Sequence, residues 1–226
     1  MKSRSVPKPR QKAAKPAPRR RREPRIRAIV AAAEQVFLER GYEAGSLDDV
    51  ARRANASKAT IYAHFGSKVG LFRAIIGEKI NEIFEPVRQG EAHHAPVPIV
   101  LHGLGTAFLR RMLSPVVLKF YRLIVSQGTQ FPELAQTWFA NGPKTAIATL
   151  AAFLRERHAA GEIDVAEPDL AAEFFLMSLR GVLHLQAVTG LIAPPFDKAI
   201  AAKVTAAVEM FMRAYAPQRV TQRRGR

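Results

Sequence analysis

The sequence of 226 residues predicts an all-α protein with a small N-terminal unit of three helices and a larger C-terminal helical unit. Apolar residues recur at three- and four-residue spacing in one segment after another, and the alternation typical of strands is nowhere sustained. The helical segments between residues 46 and 65 are too short to be stable alone, whereas those after residue 67 are long. Because 48% of the residues are hydrophobic, the chain can bury a core.

The positive charge of the chain is concentrated at its N-terminus. The net charge is +16, and residues 1–27 hold twelve Lys and Arg residues against the single acid Glu23. The same segment contains five of the fifteen prolines and few large apolar side chains. Such a composition cannot offset the entropy lost on ordering, so we expect a disordered basic tail over residues 1–24. Its charge suits a polyanionic partner.

The composition also limits the class and location of the protein. The sequence contains no cysteine, which excludes disulfides and thiolate metal sites. No apolar run reaches the roughly 18 residues that span a bilayer, and the N-terminus lacks the apolar core of a secretory signal. The prolines of the Arg-rich tail do not suit the amphipathic helix of an organellar transit peptide. We therefore expect a cytoplasmic protein without a membrane partner.

Two helices are predicted before residue 56. Gly41 is expected to end the first in a left-handed conformation. Ser46, followed three residues later by Asp49, has the spacing of a capping box at the start of the second. Asn55 is expected to end the second helix. The apolar faces of the two helices are Ile26, Ile29, Val30, Ala33, Val36 and Phe37, and Leu47, Val50, Ala51 and Ala54.

A third helix begins after the cap residue Ser57 and ends at Gly66, where Ser67 caps a fourth. At 1.5 Å per residue it would be about 12 Å long, close to the roughly 12 Å width of a B-DNA major groove. In a helix-turn-helix the first member crosses the DNA backbone and the second lies in the groove, which accounts for so short a helix. The spacing therefore predicts an N-terminal three-helix helix-turn-helix DNA-binding domain over residues 25–70.

The third helix has an apolar face and a face of small and polar residues. At 100° per residue, Ile61 and Phe65 point inward, and Ala59 and Ala63 lie nearly opposite. Two outward alanines allow the backbone to approach base edges, where their methyl groups can meet thymine methyls. Lys58 and Thr60 are placed for base or phosphate acceptors, and Tyr62, His64 and Lys68 for phosphate oxygens.

The stretch "SLDDVARRANASKATIYAHFGSKVGLF", residues 46–72, resembles the DNA-binding segment of the TetR (tetracycline-repressor-like) transcriptional regulators. That segment reads roughly T-x-x-x-I-A-x-x-A-G-V-S-x-x-T-x-Y-x-H-F-x-x-K-x-x-L. Asn55 replaces the usual Gly of the turn and tolerates the same conformation, while Val69 replaces a common acid. The matching positions are Ser46, Val50, Ala51, Ala54, Ser57, Thr60, Tyr62, His64, Phe65, Lys68 and Leu71.

The resemblance covers about residues 25–75 and assigns roles to individual side chains. It implies that Lys58 and Thr60 approach bases. It also implies that four side chains contact phosphates: Ser46, Tyr62, His64 and Lys68. Together with the outward face of the third helix, the candidate DNA contacts are Ser46, Ser57, Lys58, Ala59, Thr60, Tyr62, Ala63, His64 and Lys68.

Long helical patterns fill the rest of the chain after a loop over residues 90–98. Pro143 should kink or divide the pattern 132–160, because proline removes a backbone donor and clashes one turn back. The stretches "YRLIVSQGTQFPELAQTWFANGP" and "DLAAEFFLMSLRGV" resemble the C-terminal region of TetR-type regulators called AefR-like. This resemblance implies a larger C-terminal helical effector and dimerisation domain over residues 71–216, before a basic tail over 217–226. The helical patterns cover about 97–113, 115–127, 132–160, 168–190 and 196–215.

An effector pocket is expected between the C-terminal helices. Such pockets are lined by apolar and aromatic side chains with a few polar groups, so the effector is expected to be a largely apolar small molecule. Many of the aromatic residues in this region will simply be core. The candidate pocket residues are His102, Phe108, Tyr121, Gln127, Trp138, Phe174, Met177 and Arg180.

The segment 168–190 carries apolar residues nearly all round, so a helix there must be buried on two sides. One side can pack on its own domain and the other on a second copy of the chain, together with the last helix. We therefore expect a homodimer closed by a four-helix bundle. The apolar stripe of the last helix is Ile200, Val204, Val208, Phe211, Met212 and Tyr215.

The sequence gives no sign of a catalytic, metal or cofactor site. There is no nucleophile with an identifiable base and no phosphate-binding loop, so we expect no enzyme and no cofactor. Glu91, His93 and His94 share a loop but lack a further ligand at metal-binding spacing. The stretch "GLGTAF", residues 103–108, lacks the third glycine and the preceding strand of a dinucleotide site.

The residues and the resemblance together predict a sequence-specific transcriptional regulator, a ligand-responsive repressor that binds a palindromic operator as a homodimer. It would be associated with the bacterial nucleoid when bound to DNA. An alternative is a nucleoid-type architectural protein that binds DNA through its basic tails, with steep salt dependence and little preference for sequence.

Overall fold

The computed structural model of the chain describes residues 19–88, 95–194 and 196–217. Within them every regular element is an α-helix, which confirms the predicted all-α fold. The predicted tails at residues 1–18 and 218–226, and residues 90–94 of the predicted loop, lie outside the described residues. In chain order the helices are α1 (Arg19–Ala44), α2 (Leu47–Arg53), α3 (Lys58–Phe65), α4 (Lys68–Arg88), α5 (Val97–Met112), α6 (Pro115–Gln127), α7 (Pro132–Asn141), α8 (Pro143–Ala159), α9 (Pro168–Thr189) and α10 (Asp197–Tyr215).

Helix α1 begins earlier than the sequence predicted. Its first residue is Arg19, so residues 19–24, which were assigned to a disordered tail, are helical. Arginine is a good helix former, and the helix accommodates Pro24 close to its start. The charge of this segment therefore does not prevent local helix formation.

The first three helices enclose a small core and are joined by the turns that the sequence predicted. Gly41, with a φ of 80° and a ψ of 172°, interrupts α1 three residues before its end, and Asn55, with a φ of 47°, lies between α2 and α3. The inward side chains of α1, α2 and α3 are buried against the start of α4. Those that are fully buried in this core are Ile29, Ala33, Phe37, Val50, Ile61, Leu71 and Phe72.

Helix α4 joins the N-terminal unit to the larger C-terminal unit. It packs against α1 and α3 on one side of this junction and against α5, α7 and α8 on the other. Its apolar stripe, from Leu71 to Phe84, is buried. Helix α4 is therefore in contact with elements of both units.

The C-terminal unit is a bundle of the remaining helices. Helix α9 lies against α5, α6, α8 and α10, and α10 also packs on α5. Pro143 divides the predicted segment 132–160 into α7 and α8, as expected from its missing backbone donor. It occupies the first turn of α8, where a missing N–H removes no helical hydrogen bond.

The end of α1 is fixed by contacts with α6. The backbone N–H of Tyr42 donates to the side-chain Oε1 of Gln127, at 3.0 Å. The ring of Phe72 lies 5.8 Å from that of Tyr42 and 5.9 Å from that of Phe120. Because α1 also packs directly on α6, these contacts set the orientation of the first three helices relative to the bundle.

Helix α9 is interrupted at Gly181, which the sequence did not indicate. Gly181 has a φ of 39° and a ψ of −145°, outside the helical region. A Cβ at this position would lie 3.3 Å from the Nζ of Lys203 on α10. The break thus requires glycine for its backbone conformation and allows close approach of α10.

We expect the substitution Gly181→Ala to lower the free energy of unfolding by about 1–3 kcal/mol, because alanine is strained in this conformation. The matched control is Gly77→Ala in α4, where a Cβ meets nothing within 4 Å. That change should raise the free energy of unfolding by about 0.5–1 kcal/mol, since alanine favours a helix interior. Chemical denaturation at one protein concentration measures both values. An equal response of the two variants would show that the break at Gly181 is not required.

Candidate DNA-binding surface and effector cavity

Helix α3 presents the two faces that its sequence predicted. Ile61 is fully buried, whereas the side chain of Tyr62 is 48% exposed. Ala59 and Ala63 are exposed on the side opposite Ile61. The outward surface therefore has a centre of two methyl groups, which leaves the helix backbone accessible. Lys58 and His64 are also exposed, and Thr60 is half-buried.

Serine hydroxyls cap the two helices of the helix-turn-helix. The Ser57 Oγ accepts a hydrogen bond from the backbone N–H of Thr60, and the Ser46 Oγ accepts one from that of Asp49, both at 3.1 Å. The Ser46 hydroxyl also donates to the Asp49 carboxylate. Ser46 and Ser57 therefore fix the starts of α2 and α3 in the protein itself.

Asp49 organises the charges beside the first cap. Its carboxylate contacts Arg40 of α1 and Arg52 of α2. The hydrogen bond from Ser46 is the main cause of the lowered pKa of Asp49, and the two arginines lower it further against the effect of burial. The carboxylate thus stays ionised and ties α1 to α2.

Lys58 lies at the start of α3 and pairs with a carboxylate of α2. Its Nζ is 2.9 Å from the Oδ2 of Asp48, and both side chains are largely exposed. The hydrogen bond to Asp48, followed by its charge, raises the pKa of Lys58. The cation is therefore permanent, and contact with a phosphate would require it to leave or share Asp48.

The side chain of Lys68, a predicted phosphate contact, reaches back to the end of α1 in the structure. Its Nζ donates to the backbone carbonyl of Glu43, at 3.0 Å, and lies 4.6 Å from the centroid of the Tyr42 ring. Burial lowers the pKa of this half-buried lysine. A flexible four-carbon stem can reach inward as well as outward, and here it joins the start of α4 to the end of α1.

A cavity of about 80 Å³ lies between α4, α5, α6, α7, α8 and α9, and its lining is almost entirely apolar. Helix α4 contributes Ile75, Ile76, Lys79 and Ile80. Sequence reasoning missed these residues because their spacing is that of any buried stripe. The predicted pocket residues that do line the cavity are Phe108, Tyr121, Trp138, Met177 and Arg180.

Three predicted pocket residues lie elsewhere. His102 is exposed on α5, and Gln127 is engaged with Tyr42 at the junction of the two units. Phe174 is 56% exposed on the outer side of α9. These residues do not line this cavity, and the sequence could not show that, because periodicity identifies the faces of a helix but not which face borders a cavity.

The charged side chains of the cavity differ in their partners. Lys79 pairs with Glu34 of α1, with an Nζ–Oε2 distance of 2.8 Å. Arg180 lies with its guanidinium carbon 5.1 Å from the centroid of the Tyr121 ring, and one of its nitrogens is 3.4 Å from the Nδ1 of His184. Among the residues that the structure describes, no carboxylate pairs with Arg180.

His184 lies beside Arg180 and was not identified from the sequence. It is only 4% exposed, and its ring packs edge-on against Tyr121, with centroids 4.9 Å apart. Burial, and to a smaller extent Arg180, lowers the pKa of His184 to about 4. The imidazole is therefore neutral at pH 7 and does not add to the charge of Arg180.

The described residues contain no group of three or more His, Cys, Asp or Glu side chains that could hold a metal ion. The loop residues Glu91, His93 and His94 lie outside the described part of the chain. None of the helices described is long and apolar enough to cross a membrane.

Two family models match the chain, one for each unit. The model described as "Bacterial regulatory proteins, tetR family" covers residues 29–75. The model described as "AefR-like transcriptional repressor, C-terminal domain" covers residues 99–217. The two matches span the helix-turn-helix and the bundle that contains the cavity.

Solved structures match over most of the chain. The flavonoid-responsive regulator FrrA is 31% identical, with a TM-score of 0.66, and the alignment covers 87% of this chain and 100% of that one. A TetR-family transcriptional regulator from Mesorhizobium loti is 26% identical, with a TM-score of 0.73, over 87% of this chain and 98% of that one.

Curated relatives match over different shares of the chain. The transcriptional activator FasR of Mycolicibacterium smegmatis is 38% identical over 68 residues, which are 30% of this chain and 31% of FasR. The chain thus spans less than a third of that relative's length. The relatives are transcriptional regulators, and nothing among them supports an architectural DNA-binding protein. With both units matched in order, the chain belongs to the TetR family of bacterial transcriptional regulators.

Proposed function

We propose that this chain is a ligand-responsive repressor that binds a palindromic operator as a homodimer in association with the bacterial nucleoid. The observation that carries the proposal is the capped helix α3, whose exposed face of small and polar residues is as long as a major groove is wide. Residues 25–70 would form the DNA-binding domain and residues 71–216 the effector and dimerisation domain. Repression rather than activation is favoured by the description of the C-terminal family model.

The DNA contacts would divide into two classes. Ala59, Ala63 and Thr60 would face base edges, and Lys58 would reach a base or a phosphate after leaving Asp48. The hydroxyl of Tyr62 and the ring of His64 would contact phosphates, which set the register of the helix in the groove. Ser46 and Ser57 would act mainly by fixing the helix starts, and Lys68 by holding α4 to α1.

The dimer interface would lie on α9 and α10. Leu170, Phe174, Met177 and Leu185 are exposed large apolar residues of α9, and Met210 is one of α10. Several large apolar side chains exposed on one helix are typical of an interaction site. Two chains related by a two-fold axis through this face would form a bundle of four helices. The dimer would present two copies of α3 to successive major grooves, with centres about 34 Å apart or a multiple of that distance.

The cavity is joined to the DNA-binding unit by side chains on α4 and α6. Phe120 lines the cavity and packs on Phe72, which contacts Tyr42 at the end of α1. An effector that favours a different position of α4 or α6 would change the separation of the two α3 helices. It would weaken operator binding by the same factor by which the operator weakens effector binding. FrrA is described as flavonoid-responsive, which agrees with an aromatic-lined cavity as the effector site.

Genome-wide DNA capture with the purified full-length protein tests the proposed function. The salt concentration should be about 150 mM, which suppresses much binding that depends on phosphates alone. We expect a few sites that share one palindrome. Even coverage of the genome without a shared motif would overturn the proposal and favour the architectural alternative.

The substitution Tyr62→Phe should lower operator affinity about tenfold, because each protomer of the dimer loses a hydrogen bond to a phosphate oxygen. The hydroxyl is uncharged, so the salt dependence of binding should not change. The control Tyr215→Phe removes a hydroxyl from α10, where the ring stacks near Phe211, and should leave operator affinity unchanged. Fluorescence anisotropy of a labelled operator measures both affinities, and equal values for the two variants would contradict the phosphate contact.

The substitution Leu185→Glu should convert the dimer to a monomer, because it places a charge on a side chain that is 61% exposed and expected in the interface. Loss of the second half-site contact should weaken operator binding by about 100-fold or more. Val125→Glu on α6, at an apolar residue that is 65% exposed, is the control. Sedimentation at micromolar concentration measures the state of each variant, and a dimeric Leu185→Glu protein would place the interface elsewhere.

A further inference from the structure

We propose that the effector is a small amphipathic carboxylate, with its apolar body in the cavity and its carboxylate on Arg180. This inference rests on the proposed function, since it assumes that the cavity between α4 and α9 is the effector site. It goes further because it specifies the charge, the size and the anchoring residue of the ligand.

Arg180 lines the cavity, and no acidic side chain of the described residues neutralises its charge. Within the described residues its guanidinium has one hydrogen-bond partner, the Nδ1 of His184, and its Nε is buried without a partner. A charge removed from water is unfavourable unless it is paired. A guanidinium donates in a planar fork that matches a carboxylate, so a carboxylate is its natural complement.

The neighbours of Arg180 supply no negative charge. Tyr121 offers its ring face, which attracts a cation weakly. His184 accepts from Arg180 through Nδ1, so the remaining hydrogen of the neutral ring is on Nε2, which is buried without a partner. His184 thus positions the guanidinium and leaves its charge in place. The other cavity cation, Lys79, is already paired with Glu34.

The break in α9 lies at the same place. Met177 and Arg180 line the cavity from the turn before Gly181, and His184 lies in the turn after it. The change of backbone direction at Gly181 therefore falls between the cation and the residue that positions it. The backbone therefore departs from helical geometry directly beside the cavity.

The cavity limits the size of the ligand. At about 10–15 Å³ for each water-sized sphere, a volume of about 80 Å³ has room for roughly five to eight water molecules. This suits a compact ligand of about ten non-hydrogen atoms. Its walls include the rings of Phe108, Phe120, Tyr121 and Trp138, which suit an aromatic ring or a short alkyl chain.

Trp138 provides a direct signal for binding, because it is the only tryptophan of the chain and lines the cavity. The full-length protein should be titrated with 3-phenylpropanoate and octanoate, and with the primary amide of each, while Trp138 fluorescence is measured. Each amide has nearly the shape of its acid but no charge. We expect each carboxylate to bind at least tenfold more tightly than its amide.

The substitution Arg180→Gln should reduce carboxylate affinity to that of the amide, and Arg180→Lys should restore part of the difference. Arg155→Gln is the control, because Arg155 is exposed and pairs with Asp169 away from the cavity lining. It should keep the full preference for the carboxylate. If Arg180→Gln does not fold, the acid-to-amide ratio of the unmodified protein still decides the question.

Equal or tighter binding of the amides, an unchanged preference in Arg180→Gln, or no binding of any of the four compounds would each overturn the inference. These outcomes are separate from failure of the proposed function. If an uncharged compound released the protein from palindromic sites, the proposed ligand-responsive repressor would stand and the inference of a carboxylate effector would be rejected. The absence of any shared palindrome in the DNA capture would reject the proposed function whatever Trp138 reports.

Discussion

Helix α3 has only eight residues, too few for independent stability in water, and the arrangement of the N-terminal unit follows from this constraint. The Ser57 hydroxyl satisfies a backbone donor at its start, and Ile61 anchors it in the core. Because these two features hold the helix in place, the outward side needs no apolar contact of its own. It can therefore carry the small and polar residues that suit a groove of DNA.

The same division between stability and function is found in the cavity. Most of its lining is indistinguishable from core, and filling the space with larger side chains would add buried apolar area. The structure instead keeps a space beside a cation that has no acidic partner among the described residues, and a helix that is broken at Gly181. Features that lower stability in one small region are expected where a site has to accept something from outside.

Local chemistry explains which parts of this fold could be predicted from the sequence. The caps at Ser46 and Ser57, the turns at Gly41 and Asn55, and the division at Pro143 all depend on backbone groups within one turn. The two faces of α3 follow from the helical period alone. These features were predicted because each needs no knowledge of the tertiary arrangement.

Features that depend on the packing of distant helices could not be predicted in this way. The helical spacing of Ile75 and Ile76 is that of any buried stripe and does not indicate that they border a cavity. Gln127 was predicted to contact an effector, and it contacts Tyr42 instead. Lys68 matches the family motif, but its long side chain turns inward to Glu43. In each case the residue type fits several environments, and the neighbouring helices determine which of them it occupies.

The contacts of Gln127 and Lys68 show how the two units depend on each other. The side chain of Gln127 on α6 accepts a hydrogen bond from the N–H of Tyr42, and Lys68 on α4 donates one to the carbonyl of Glu43. Residues 42 and 43 are therefore bonded to two helices of the cavity wall. Lys79 of α4 also forms an ion pair with Glu34 of α1. Under the proposed function, an occupant of the cavity would touch α4 and α6, and a displacement of either helix would strain these contacts. The position of α1, and with it that of α3, would then depend on the state of the cavity through bonds that can be broken one at a time.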